Sequence, residues 1–184
     1  MLSAALRCNS FSVDSSILPQ VALVFELSSE FIQRVRDTFG PDGQVWLSQF
    51  SETLQTYRER WSLTLRPPIE PLSYNYVAPA LLPDGEEVVL KLGVPNPELL
   101  TEIEALRRYD GRGAVRLLQA DPDDGALLLE RVRPGIALID RDFDDERATR
   151  IAAQVMQRLW RPVQGEQPFP TVETWFRGLR RLRA

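Results

Sequence analysis

Two residues carry most of the chemical information in this chain, Lys91 and Glu102. Lys91 is the only lysine among 22 Lys+Arg residues; every other basic position is arginine. It stands in Glu86-Glu87-Val88-Val89-Leu90-Lys91-Leu92, a β-branched and apolar run bounded by turn residues, the pattern of a buried strand. An ammonium group in such a run must find a partner or a ligand, unless it snorkels to the rim of the sheet on its aliphatic stem. Glu102 falls further along, in a segment with helical periodicity. A strand lysine can hold the α- and β-phosphates of a nucleotide, and a helix glutamate can hold that lysine by an ion pair.

The elements around the pair decide whether they can meet. Asn96-Pro97-Glu98 is a helix start with a capping side chain, proline at the first helical position and an acid in the first turn. The predicted helix runs to about Tyr109, closed by Asp110-Gly111, and its apolar stripe is Leu99, Ile103 and Leu106. With about 100° per residue, Glu102 lies roughly 60–70° from the stripe, Glu98 roughly 100° and Glu104 about 130° on the far side. Only Glu102 can lean toward the sheet.

Before the lysine strand, Trp61, Leu63 and Leu65 alternate with polar residues, and Tyr74 to Leu82 is a second extended stretch. Pro83-Asp84-Gly85 joins it to the lysine strand as a hairpin turn. After Gly113, Ala114 to Gln119 and Ala126 to Val132 form two more strands across a turn ending in Asp124-Gly125, and Arg133-Pro134-Gly135 breaks the sheet. Two helices precede the strands. Ser28 or Ser29 caps the first, with Phe31, Ile32, Val35 and Phe39 on one face and Gly40-Pro41 as its stop, and Trp46, Phe50, Leu54 and Tyr57 mark the second. Downstream, Asp144 caps a helix carrying Ile151, Val155, Met156, Leu159 and Trp160, and Thr171 caps a last amphipathic segment with Trp175, Phe176, Leu179 and Leu182.

Composition narrows the classes. The 184 residues, 43% hydrophobic, suffice for one packed domain or a small lobe with part of a second, and a net charge of -4 speaks against a general nucleic-acid binder. Cys8 is the single cysteine, so a reducing cytoplasmic location is expected, and no apolar run approaches the roughly 18 residues of a membrane span. The absence of histidine excludes a Ser-His-Asp triad and histidine metal ligation within this chain.

The wording of the strands adds a resemblance. Val88-Val89-Leu90-Lys91 stands where protein kinases carry their Val-Ala-Ile-Lys type motif. Leu72-Ser73-Tyr74-Asn75-Tyr76-Val77, Asp84-Gly85, Lys91-Leu92-Gly93, Thr101 to Arg107, Gly113 to Leu118, Gly125 to Arg131 and Pro134-Gly135 together resemble the aminoglycoside and hydroxyurea phosphotransferase family of bacterial resistance kinases. The resemblance covers roughly Val24 to Trp160. It implies an α+β fold: a protein-kinase-like small lobe, a five-stranded antiparallel sheet with one inserted helix, preceded by two helices and followed by the helical start of a large lobe. Expected divisions are a loose extension at 1–27, helices at 28–60, the small lobe at 61–133, and the hinge with the beginning of the large lobe at 134–184.

By position the resemblance places Lys91 and Glu102 at the nucleotide phosphates. Ser73, Tyr74 and Asn75 fall in the phosphate loop, and Glu130, Arg131 and Val132 form the hinge that meets the adenine edge. It implies ATP and magnesium as cofactors, and transfer of the γ-phosphate to a hydroxyl of a streptomycin-type aminoglycoside or a hydroxyurea-like antibiotic. Two departures stand out. No glycine occurs between Gly43 and Gly85, so the phosphate loop is not glycine-rich. The family's His-Gly-Asp catalytic loop and magnesium aspartate have no counterpart here, so no catalytic or metal-binding residue is assigned. Asp140, Asp142, Asp144 and Asp145 read as helix-start and loop residues, and the chain is expected to be a truncated form without turnover alone. The alternative is a non-catalytic nucleotide-binding or protein-docking module that meets a protein partner, or another copy of itself, through the exposed C-terminal helix.

Overall fold

The computed structural model describes residues 26–140, 143–160, 162, 169–174 and 176. Helix α1 spans Ser29–Arg60, and the Ser28 hydroxyl caps it by accepting from the Phe31 amide at 3.2 Å. Gly40 leaves helical geometry at φ 55° and ψ -128°, directly before Pro41, so the two expected helices are the arms of one element bent there. A residue with a Cβ would be strained at that φ. Phe31, Val35, Trp46, Phe50, Leu54 and Tyr57 are buried along one side of both arms.

Five strands follow: β1 Thr64–Leu65, β2 Tyr76–Leu81, β3 Glu87–Leu92, β4 Leu117–Asp121 and β5 Ala126–Glu130. They form one antiparallel sheet in the order β1-β2-β3-β5-β4. Strand β1 is shorter than the alternation from Trp61 suggests, because the backbone there finishes the helix instead. The Trp61 amide donates to the Tyr57 carbonyl at 3.1 Å and the Leu63 amide to the Arg58 carbonyl at 2.7 Å. The side chains of Trp61 and Leu63 are nevertheless buried. Strand β4 begins later than expected, at Leu117, with a register shift between Leu117 and Gln119.

Helix α2, Pro97–Tyr109, enters between β3 and β4. The Asn96 side-chain oxygen accepts from the amides of Glu98 and Leu99 at 2.8 and 3.1 Å, which satisfies two donors that a helix start leaves unpaired. Asp110 ends the helix in the left-handed region at φ 47°.

Alternate residues of the strands serve two cores. Tyr76, Ala78, Ala80, Val88, Leu90, Leu92, Ala126 and Leu128 pack with the apolar side of α1. Leu127 packs instead with Leu99, Ile103 and Leu106 of α2. Aromatic contacts tie α1 down, with ring centroids of Phe50 and Tyr76 at 5.0 Å and of Trp46 and Phe50 at 5.3 Å. At the far end of α1 the Tyr57 hydroxyl donates to Asp124 at 2.8 Å, and Arg60 pairs with Asp121 at 2.7 Å.

Beyond the sheet, a 3-10 turn covers Leu138–Asp140 and helix α3 covers Asp145–Leu159. Asp144 caps α3 as expected, accepting from the Arg147 amide at 2.7 Å, yet none of its residues is buried. Val172, Glu173 and Thr174 are helical after Thr171, and Phe176 is exposed, while the expected positions Trp175, Leu179 and Leu182 lie outside the described residues, as do residues 1–25 of the N-terminal segment.

Candidate functional site

Lys91 sits on β3 with Val77 of β2 and Leu127 of β5 as its cross-strand neighbours. That register directs it to the same side of the sheet as Leu127, the side α2 covers. Its Nζ donates to both carboxylate oxygens of Glu102, at 2.6 and 2.7 Å. The lysine side chain is 15% exposed and the glutamate 37%, so the pair lies at the rim of the α2 core with one side open to solvent. Of the three glutamates on α2, only Glu102 makes this contact. Glu104 pairs with Arg108 within the helix at 2.7 Å, and Glu98 stands in the first turn.

The loop before β2 comes to the same end of β3, since Tyr76 pairs with Leu92. Asn75 lays its side-chain oxygen so close over Gly93 that a Cβ there would collide with it. Gly125, at φ 69°, is under a similar demand, because its own Cβ would strike the Gly93 carbonyl. Helix α1 holds this loop from behind. Arg34 donates through Nε to the Ser73 carbonyl at 3.0 Å and through Nη2 to the Leu72 carbonyl at 2.5 Å. The Phe39 ring meets the Tyr74 ring edge-on at 6.0 Å. Sequence reasoning missed Arg34 and Phe39 as neighbours of the loop: periodicity puts Phe39 on the apolar face of its helix, but neither periodicity nor motif connects either residue to Ser73 or Tyr74.

At the other end of β3, Val88 pairs with Glu130. The three positions expected to form a hinge differ in what they face. Glu130 is committed to Arg116, whose amide donates to its carboxylate at 2.8 Å and whose carbonyl accepts from its amide at 3.0 Å. Arg131 borders a cavity of about 230 Å³ with Arg66, Pro79, Glu87, Val88 and Arg133. Its buried Nε has no hydrogen-bond partner among the described residues. Val132 is exposed. Arg133 grips Glu87 through Nε and Nη2 at 2.9 and 2.7 Å, and this contact, ahead of the nearby charges of Arg66 and Arg131, holds the Glu87 carboxyl below its ordinary range.

No group of three Asp, Glu, Cys or His residues that could hold a metal ion occurs among the described residues. Among the described residues, therefore, none is assigned as a magnesium ligand. Asp121 and Asp124 are engaged with α1, and the Tyr57 hydroxyl, against the opposing effect of partial burial, holds the Asp121 carboxyl below its usual range.

Residues 60–184 match the model of a family described as aminoglycoside/hydroxyurea antibiotic resistance kinase. The chain is 35% identical over 121 residues to a streptomycin 6-kinase of Streptomyces glaucescens, covering 66% of this chain and 39% of that protein. It is 34% identical over 145 residues to a hydroxyurea phosphotransferase of Kitasatospora aureofaciens, covering 77% of this chain and 42% of that protein. A streptomycin 6-kinase of Streptomyces griseus is 31% identical over 120 residues, covering 65% and 39%. The matches thus span about two fifths of the length of these curated relatives.

Proposed function

Because the chain belongs to the aminoglycoside/hydroxyurea antibiotic resistance kinase family, we propose that it forms the nucleotide-phosphate side of a small-molecule kinase, with ATP as the donor. The observation that carries this reading is the Lys91–Glu102 pair, closed on the sheet side and open to solvent on the other. Glu102 orients the ammonium, and Lys91 meets the α- and β-phosphates as a point charge. The amides of Ser73, Tyr74 and Asn75 lie at the same end of β3 and supply neutral donors to the phosphates. Adenine fits at the hinge of Glu130, Arg131 and Val132.

The strand spacing supports this placement. From Val88, opposite Glu130, to Lys91 is about 10 Å along an extended chain, comparable to the span from an adenine ring to its β-phosphate. In the transfer itself an acceptor hydroxyl oxygen bonds to the γ-phosphorus as the bond to the β-phosphate oxygen breaks, leaving ADP. The acceptor class in this reading is a streptomycin-type aminoglycoside or a hydroxyurea-like compound, the substrates named for the relatives. None of the described residues is assigned to take the hydroxyl proton or to hold magnesium, so in this reading their part is to bind the nucleotide.

A second reading, a protein-docking module, is favoured by one observation. Ile136, Leu138, Phe143, Ile151, Val155 and Met156 line an open apolar groove of about 680 Å³ along α3. A thermal-shift titration with ATP and magnesium separates the two. The kinase reading expects a rise in Tm that Lys91→Ala abolishes. No rise in the wild-type chain, or an undiminished rise in the variant, would overturn it.

A further inference from the structure

Phosphate loops commonly use glycine so that successive backbone amides can turn toward an anion. This chain has no glycine between Gly43 and Gly85, yet the loop at Ser73–Asn75 is held in a definite orientation by a residue far away in sequence. Arg34 on α1 spans two successive carbonyls, those of Leu72 and Ser73, with its planar fork. A trans peptide is planar, with its carbonyl and its amide hydrogen on opposite sides. The only cis bonds among the described residues are Glu70-Pro71 and Arg133-Pro134, so the peptides on either side of Ser73 are trans. Drawing the Leu72 and Ser73 carbonyls toward Arg34 therefore turns the amides of Ser73 and Tyr74 the other way. Neither amide has a hydrogen-bond partner among the described residues.

Two further contacts fix the loop. Phe39, on the same arm of α1, packs edge-on against Tyr74, and Asn75 is seated over Gly93 at the end of the lysine strand. The α1 arm lies before the span matched by the family model, residues 60–184.

We propose that Arg34 is a positioning residue for nucleotide phosphates: by fastening the Leu72 and Ser73 carbonyls to α1, it presents the Ser73 and Tyr74 amides as an anion-binding pair next to Lys91. In effect, a distant guanidinium does the work that glycines do in other phosphate loops. The inference rests on the reading of Lys91 as a nucleotide-phosphate site and adds to it a residue on another element. Arg34 touches only the loop backbone, so it acts on the nucleotide through the amides it orients.

The test compares ligands with and without phosphates on the full chain. Isothermal titration with ATP and with adenosine, for wild type, Arg34→Ala, Arg34→Lys and Lys91→Ala, gives the phosphate contribution as the ratio of the two affinities. Arg34→Ala is expected to weaken ATP about tenfold while adenosine changes less than about twofold. Arg34→Lys keeps the charge but cannot span both carbonyls, so an intermediate loss is expected; if Arg34→Ala fails to fold, this variant carries the comparison. An affinity ratio unchanged in both variants, or equal weakening of ATP and adenosine, would overturn the role of Arg34. A preference for ATP lost in Lys91→Ala but kept in the Arg34 variants sinks this inference alone. A wild-type chain that binds ATP no better than adenosine sinks the phosphate site and this inference with it.

Discussion

On the α1 side of the sheet the strands present Tyr76, Ala78, Ala80, Val88, Leu90, Leu92, Ala126 and Leu128, all buried and, apart from one tyrosine, all aliphatic. On the α2 side the same strands present Val77, Lys91 and Leu127 in one row, with only the last fully enclosed. The pleat makes this division possible, because neighbouring residues of one strand point to opposite faces. One face can then be spent on burial and the other left partly open around a charge. Leu90 and Lys91 are adjacent in sequence, yet their energetic roles differ: removing the first opens a cavity in a closed core, and removing the second takes away a charge at its rim.

The comparison can be broken most directly at that pair of residues. Leu90→Ala is expected to destabilise the chain by about 2–5 kcal/mol, the usual range for a fully buried leucine, measured by urea denaturation. Lys91→Ala is expected to change stability by less than about 1 kcal/mol, since Glu102 is left facing water, while removing the response to ATP. Equal losses of stability in the two variants would mean that the faces are not specialised as described.

A smaller effect concerns the anchor at the end of α1. Tyr57→Phe removes the hydroxyl that donates to Asp124 and lies against Asp121, at a cost of about 1 kcal/mol at neutral pH. The Asp121 carboxyl is depressed in the folded chain from its ordinary 3.8. Its contribution is therefore complete above that value and is lost as pH falls through the lower folded-state value. Tyr57→Phe lessens the depression, so stability measured from pH 7 down to pH 2 is expected to fall less steeply on the acid side than in wild type. An identical acid limb would remove Asp121 from the anchor.

The smallest change is expected on α3. Met156→Glu, at a position 52% exposed, is expected to alter stability by no more than about 0.5 kcal/mol. A larger loss would show that the helix is covered in solution. Helices α2 and α3 sharpen the contrast between faces. Both have a capping side chain and an apolar stripe, but α2 buries Leu99, Ile103 and Leu106 and α3 buries none.

The Lys91–Glu102 contact was legible from local chemistry. The helical angle alone separated Glu102 from Glu98 and Glu104, because a helix fixes side-chain direction relative to its apolar stripe. The bend at Gly40-Pro41 and the cap at Asn96 were equally local. The length of β1 was not, since alternation at Trp61 and Leu63 describes side-chain burial and says nothing of which carbonyl takes each amide. Nor was the commitment of Glu130 to Arg116, which depends on how β4 comes alongside β5.

The sequence by itself therefore determined the type and order of the elements, the caps at Asn96 and Asp144 and the inward lean of Glu102, all consequences of residue type and helical or strand period. Tertiary structure decided the insertion of β5 beside β3, which encloses Lys91 between β2 and β5. It also decided the seat of Arg34 behind the Leu72 and Ser73 carbonyls. Pairing partners across long loops are chosen by the packing of whole faces, and local periodicity carries no information about them.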